Sequence, residues 1–150
     1  SRDLSIPVAV MNSEGRRGGM ILKTFQRRNP LFYIIESPLP YKDYLEVMLL
    51  HRIVWQLDSS AVPGQVAGDS LLCGMPCVGG NGAVDRLAFP DYSSPCDRAE
   101  LVDKAKALLL EDGMWRDCVE KSKSLARARL SYSAIAAELE KLAVQPIAFR

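Results

Sequence analysis

The chain has 150 residues, the size of one ordinary domain and enough to bury a hydrophobic core without disulfide or metal staples. Its 19 basic and 18 acidic residues nearly cancel, so composition by itself gives no reason to expect a nucleic-acid surface or an acidic partner. No apolar run approaches the roughly 20 residues of a membrane span, and the polar-flanked opening segment is not laid out as a signal peptide.

Taken in chain order, short β-rich runs alternate with longer helical ones, the rhythm of a parallel sheet covered by helices. Residues 5–11 predict a first strand, which Pro7 places near an edge. A polar, glycine-bearing loop follows over 12–19. Residues 19–28 predict a helix with Ile21, Leu22 and Phe25 on one side, stopped by Asn29 and Pro30. Residues 31–35 carry almost no polar group and predict a strand buried on both faces. A helix is expected over 41–51 from the spacing of Tyr44, Leu45, Met48 and Leu49, and a strand over 53–57. Residues 66–73 predict a short helix, with Gly74 as its C-terminal stop and Pro76 just beyond, and Cys77 and Val78 open the next strand. From about residue 97 the chain is helical nearly to its end. Asp97 and Glu100 have capping-box spacing, Gly113 is the expected divide before a helix over 114–130, and Ser131 is placed to cap a last one.

Cys73, Cys77, Cys96 and Cys118 lie in or beside apolar runs, where reduced, buried thiols are the usual occupants, and the single histidine, His51, leaves few partners for a metal site. These features predict a protein of a reducing, cytoplasmic compartment with no metal, and Ser1 at the start points to a fragment of a longer protein. Trp55 and Trp115 fall within apolar periodicity and are expected in the core, whereas His51 ends a helix, where a cation is welcome.

Ligands of parallel α/β sheets bind at the carboxyl ends of strands, where loops expose amides and helix N-termini add positive potential. Residues 13–19, 59–68 and 79–84 fall at such ends. Arg16 and Arg17 offer planar forks for phosphate, although the Lys-Ser/Thr ending of a Walker loop is missing. Asp69, expected near a helix start, suits either a cap or a ribose hydroxyl. Gly79, Gly80 and Gly82 either close turns or let backbone approach a ligand. No nucleophile elbow or Ser-His-Asp order is visible.

The segment GDSLLCGMPCVGGNGAVDRL, residues 68–87, resembles the EALACGTPVV…GG…E segment of GT-B glycosyltransferases of the family 4 type, in their C-terminal, nucleotide-sugar-binding domain. RRGGMILKTF, residues 16–25, is similar to the KGG…LL.AF that follows that domain's first strand, and the helical tail is compatible with its closing helices. The resemblance implies a single Rossmann-like donor-binding domain over 1–150, a parallel sheet with helices on both faces and a helical tail, with its partner N-terminal Rossmann-like half elsewhere. It implies a nucleotide diphosphate sugar as substrate and no further cofactor. Its E-x7-E pair falls on Ala61 and Asp69, so the first acid is absent and Asp69 is the implied ribose contact. Arg17 matches the phosphate-binding lysine, with Arg16 adjacent, and Gly82 and Ala83 fall at the later glycine pair. Arg86 stands where an acid is frequent, and Asp85 lies one position too early. These departures leave a second reading, a degenerate Rossmann-like module with a structural or partner-binding role. A flavodoxin-like or receiver domain would want an acidic cluster at the strand ends that the sequence lacks.

Overall fold

The computed structural model describes residues 4–12, 15–56, 60–94 and 97–144. It divides into two compact units, Ser1–Tyr44 and Leu45–Arg150.

In the first unit, strand β1 (Val8–Met11) leads into helix α1 (Gly15–Arg28) and strand β2 (Phe32–Ile35). The strands pair in parallel, Val8 with Phe32 through Met11 with Ile35. Gly18 and Gly19 are the buried residues of α1, and the helix packs on β2 with the Phe25 ring 6.3 Å from that of Phe32. A Cβ on Gly19 would come within 3.2 Å of the Asn12 amide nitrogen, so the small residue permits the close approach. The helix ends as Asn29 and Pro30 dictate: the Leu31 N–H donates to Asn29 Oδ1 at 3.0 Å, an Asx turn that starts β2. Two expectations are corrected here. α1 begins at Gly15, so Arg16 and Arg17 stand in its first turn and not in a loop. Tyr33 is 53% exposed, so β2 is not buried on both faces, which needs a cover that a single packed helix does not supply.

Helix α2 (Tyr41–Leu49) runs across the boundary into the second unit. There β3 (Val54–Gln56), α3 (Gln65–Cys73) and β4 (Cys77–Gly79) form a second parallel pair, Val54 with Cys77 through Gln56 with Gly79. Among the described residues the strands thus make two sheets of two strands each, a mixed α/β architecture, and the single continuous sheet expected from the rhythm is not seen. Gly74 ends α3 in the left-handed conformation, its N–H turned back to the carbonyls of α3, and Pro76 follows as predicted. β4 is buried along its length, and Cys77 and Val78 join Ala67, Phe89, Leu101, Ala105, Leu108 and Cys118 in one core.

The remaining elements are α4 (Ala83–Ala88), α5 (Arg98–Leu110), α6 (Asp112–Leu130) and α7 (Tyr132–Val144). The hydroxyl of Ser131 accepts the Ala134 N–H at 3.2 Å, the cap its position predicts. Asp97 makes no such cap, and Glu100 pairs with Lys104 at 2.6 Å instead. The division between α5 and α6 falls at Glu111 in extended backbone, two residues before Gly113. Arg52 explains the position: its Nε donates to the Leu108 carbonyl at 2.8 Å and its terminal nitrogen reaches Asp112 Oδ1 at 2.6 Å. One guanidinium therefore satisfies a C-terminal carbonyl of α5 and holds the acid of the first turn of α6. The Trp115 indole returns a hydrogen bond to the Arg52 carbonyl at 2.8 Å, with the guanidinium 5.7 Å from its ring centre. Trp115 is half-buried by this clamp, whereas Trp55 is 38% exposed and not a core residue. His51 is half-buried, its Nδ1 donating to the Val47 carbonyl at 2.8 Å. Cys77 and Cys118 are free, buried thiols and Cys73 is half-buried; Cys96 lies outside the described residues.

Candidate functional site at the strand ends

β3 and β4 run in the same direction, so Gln56 and Gly79, paired across the ladder, both stand at carboxyl ends. Beyond them opens a cleft of about 300 Å³ lined by Gln56, Val62, Pro63, Gly64, Gln65 and Val66. Gly64 is the N-cap of α3, with φ of 92°, and makes no side-chain cap. The first intrahelical bond is donated by Gly68 to the Gly64 carbonyl, so the amides of Gln65, Val66 and Ala67 precede the helical ladder. Their dipoles sum to a partial positive charge where the helix meets the cleft.

The glycines after β4 are committed differently. Gly79 and Gly80 hold φ of +83° and +65°, where a side chain is strained. The Gly79 N–H donates to the Tyr92 carbonyl at 2.8 Å, Gly80 to the Gln56 carbonyl at 3.3 Å, and Gly82 to Asp85 Oδ2 at 3.1 Å. The next two amides, of Ala83 and Val84, bond the carbonyls of Val62 and Pro63, both at 3.1 Å. Each of these donors meets an acceptor of the chain itself.

One side chain accounts for the glycine spacing. Asp85, in the first turn of α4, is 1% exposed. A Cβ on Gly82 would sit 2.6 Å from its Oδ2 and one on Gly64 2.8 Å from the same atom. A Cβ on Gly80 would collide with Asp85 Oδ1 and with Gln56 Oε1. The three glycines therefore wrap a buried carboxyl, which accepts the Gly82 amide and, at 3.8 Å, the Cys77 thiol. Burial pushes the Asp85 carboxyl above the ordinary carboxylate range, against the opposing hydrogen bond from Gly82. Burial, with the Asp85 charge second, likewise raises the Cys77 thiol far beyond its usual value, so it is an inert core group. Gln56 Oε1 is buried with no hydrogen-bond donor among the described residues, and it flanks the same point beside Gly80 as Asp85 Oδ1. Two facing acceptors are relieved by a proton on Asp85 or by reversal of the Gln56 amide.

The predicted site residues are thus only partly gathered. Gly79, Gly80 and Gly82 stand together at the end of β4. Asp69 is in the second turn of α3, not at its start, is 5% exposed and does not line the cleft. Its charge, after burial, helps raise the neighbouring Cys73 thiol. Arg16 and Arg17 are exposed on α1 of the first unit. Arg86, where the resembled pattern favours an acid, donates to the backbone and side-chain oxygens of Asn81 at 2.9 and 3.0 Å and so holds the loop closed. Sequence reasoning missed Asp85, Gln56 and Gly64 as participants; the three-residue step from Gly82 to Asp85, that of an N-cap and its acidic partner, was the available signal. No protein-family model, curated protein or solved structure matches the chain.

Proposed function

We propose that the chain is the donor-binding domain of a GT-B glycosyltransferase, contributing the half that holds a nucleotide diphosphate sugar for transfer to an acceptor bound elsewhere. The observation that carries this reading is the cleft at the carboxyl ends of two parallel strands, facing the uncapped first turn of α3. Because the amides of Gly79, Gly80 and Gly82 already serve internal acceptors, recognition of the diphosphate falls on the amides of Gln65 and Val66, the residues of the first turn of α3 that line the cleft. Arg16 and Arg17 for the diphosphate and Asp69 for the ribose rest on the resemblance alone, since the arginines belong to the other unit and Asp69 is buried and does not line the cleft. Catalysis in this reading is electrostatic stabilisation of the leaving diphosphate, without a metal. Titration with uridine, guanosine and adenosine diphosphates, followed by amide chemical shifts, tests it: residues 64–67 should move, and no movement there at millimolar ligand sinks the proposal.

A second reading, a structural or partner-binding module, is favoured by the internally satisfied glycine amides and by Ala61 in place of the first acid. It expects no response of residues 64–67 to any nucleotide.

A further inference from the structure

We infer that the outward face of α1 docks on an anionic phospholipid surface. The near-neutral charge of the whole chain hides an uneven distribution: residues 1–44 hold seven basic and four acidic residues, the remainder twelve and fourteen. Five of those seven cations, Arg16, Arg17, Lys23, Arg27 and Arg28, lie on α1, which contains no acidic residue. An ordinary solvated helix face mixes both signs, as α6 does with Asp112, Asp117 and Glu120 among its arginines and lysines.

The order of residues matters as much as the charge. Arg16, Met20, Lys23 and Arg27 recur at helical spacing and form one stripe, and Arg17, Ile21, Thr24 and Arg28 form the next. Each stripe has a cation at both ends and an exposed apolar side chain between, Met20 at 71% and Ile21 at 55%. All five cations are exposed, and of them only Lys23 is in an ion pair among the described residues, with Glu36 at 3.0 Å. The opposite face is anchored through buried Gly18 and Gly19, so the stripes present outward on a fixed helix. At 1.5 Å per residue the end cations stand about 16 Å apart. A helix lying flat on a bilayer uses this layout: arginines extend to lipid phosphates while the apolar centre enters the headgroup boundary. A nucleic-acid backbone would engage the cations but gains nothing from Met20 and Ile21, so the charge pattern and the apolar centre together select lipid.

The test leaves Arg16 and Arg17 in place. Sedimentation with phosphatidylcholine vesicles containing about one-third phosphatidylglycerol should capture the chain at low salt and release it at high salt. Neutralising two cations with Arg27→Gln and Arg28→Gln should weaken capture by about 30-fold, roughly fivefold for each. Met20→Ser, which leaves the charge intact, should weaken it several-fold, and circular dichroism confirms that each variant keeps its helices. Equal capture by neutral vesicles, no capture at all, or indifference to either substitution overturns the inference. So does tighter binding to duplex DNA or RNA with Met20→Ser silent, which assigns the face to nucleic acid.

Discussion

The packing of Gly80 against Asp85 gives the most discriminating test of the strand-end architecture. In Gly80→Ala the new methyl must occupy left-handed backbone, at about 1–2 kcal/mol, because φ is +65°. It must also displace Asp85 Oδ1 and Gln56 Oε1, and overpacking of a buried site adds about 1–3 kcal/mol, for a total loss of about 2–5 kcal/mol. Asp85→Ala removes one of the two obstructing groups but leaves the Gly82 amide without its acceptor, at about 1–3 kcal/mol. With both substitutions together, only the backbone strain and the Gln56 contact remain for the alanine at 80. The losses therefore should not add: a coupling of about 1–2 kcal/mol is expected, well above the few tenths seen for independent sites. Urea unfolding of the four proteins measures it, with unchanged slopes required for the comparison. Additivity within about 0.5 kcal/mol would refute the claim that Gly80 is glycine on account of Asp85.

Two further predictions concern the charged groups of the second unit. Asp85 binds its proton more tightly folded than unfolded, so its contribution to stability is present below the ordinary carboxylate value of about 3.9 and is lost as pH rises through its raised folded value. Asp85→Asn removes that share: the stability of the parent minus that of the variant should fall with rising pH, whereas parallel profiles refute the burial argument. Arg52→Ala releases the Leu108 carbonyl, Asp112 and the Trp115 ring together and should cost about 1–3 kcal/mol in urea unfolding. Arg52→Lys should recover little, because a single ammonium does not reproduce the planar fork, while Asp112→Asn, in a pair whose acid side chain is 71% exposed, should have the smaller effect.

Local signals made most elements legible. Asn29 with Pro30 stopped α1, Gly74 with Pro76 stopped α3, and Ser131 capped α7, all through groups within four residues of the feature they set. What failed was set at a distance. The α5–α6 boundary followed Arg52, more than fifty residues away in sequence, and not the nearby Gly113. α4 has six residues, too few to show a helical period, and is held by the carboxyl of Asp85. The continuous sheet was expected from the alternation of strand and helix, but alternation fixes neither strand order nor pairing, and the described ladders stop at two strands each.

The glycine-rich segment 79–82 posed the same problem at the site. Glycine at a strand end is read as backbone kept bare for a ligand, yet the absent side chain says only that something occupies the space. Here the occupant of the space beside Gly64, Gly80 and Gly82 is the Asp85 carboxyl, a residue that in sequence looks like a surface acid. The glycines thus set the shape of the strand ends, and the backbone amides not used by these turns lie in the first turn of α3. In the proposed reading, ligand recognition and architecture are therefore separable. Gly82→Ala, at φ of −71° and free of backbone strain, should destabilise the loop through its crowding on Gly64 and Asp85, while substitution of Gln65, which lines the cleft, should change nucleotide affinity and leave stability nearly unchanged.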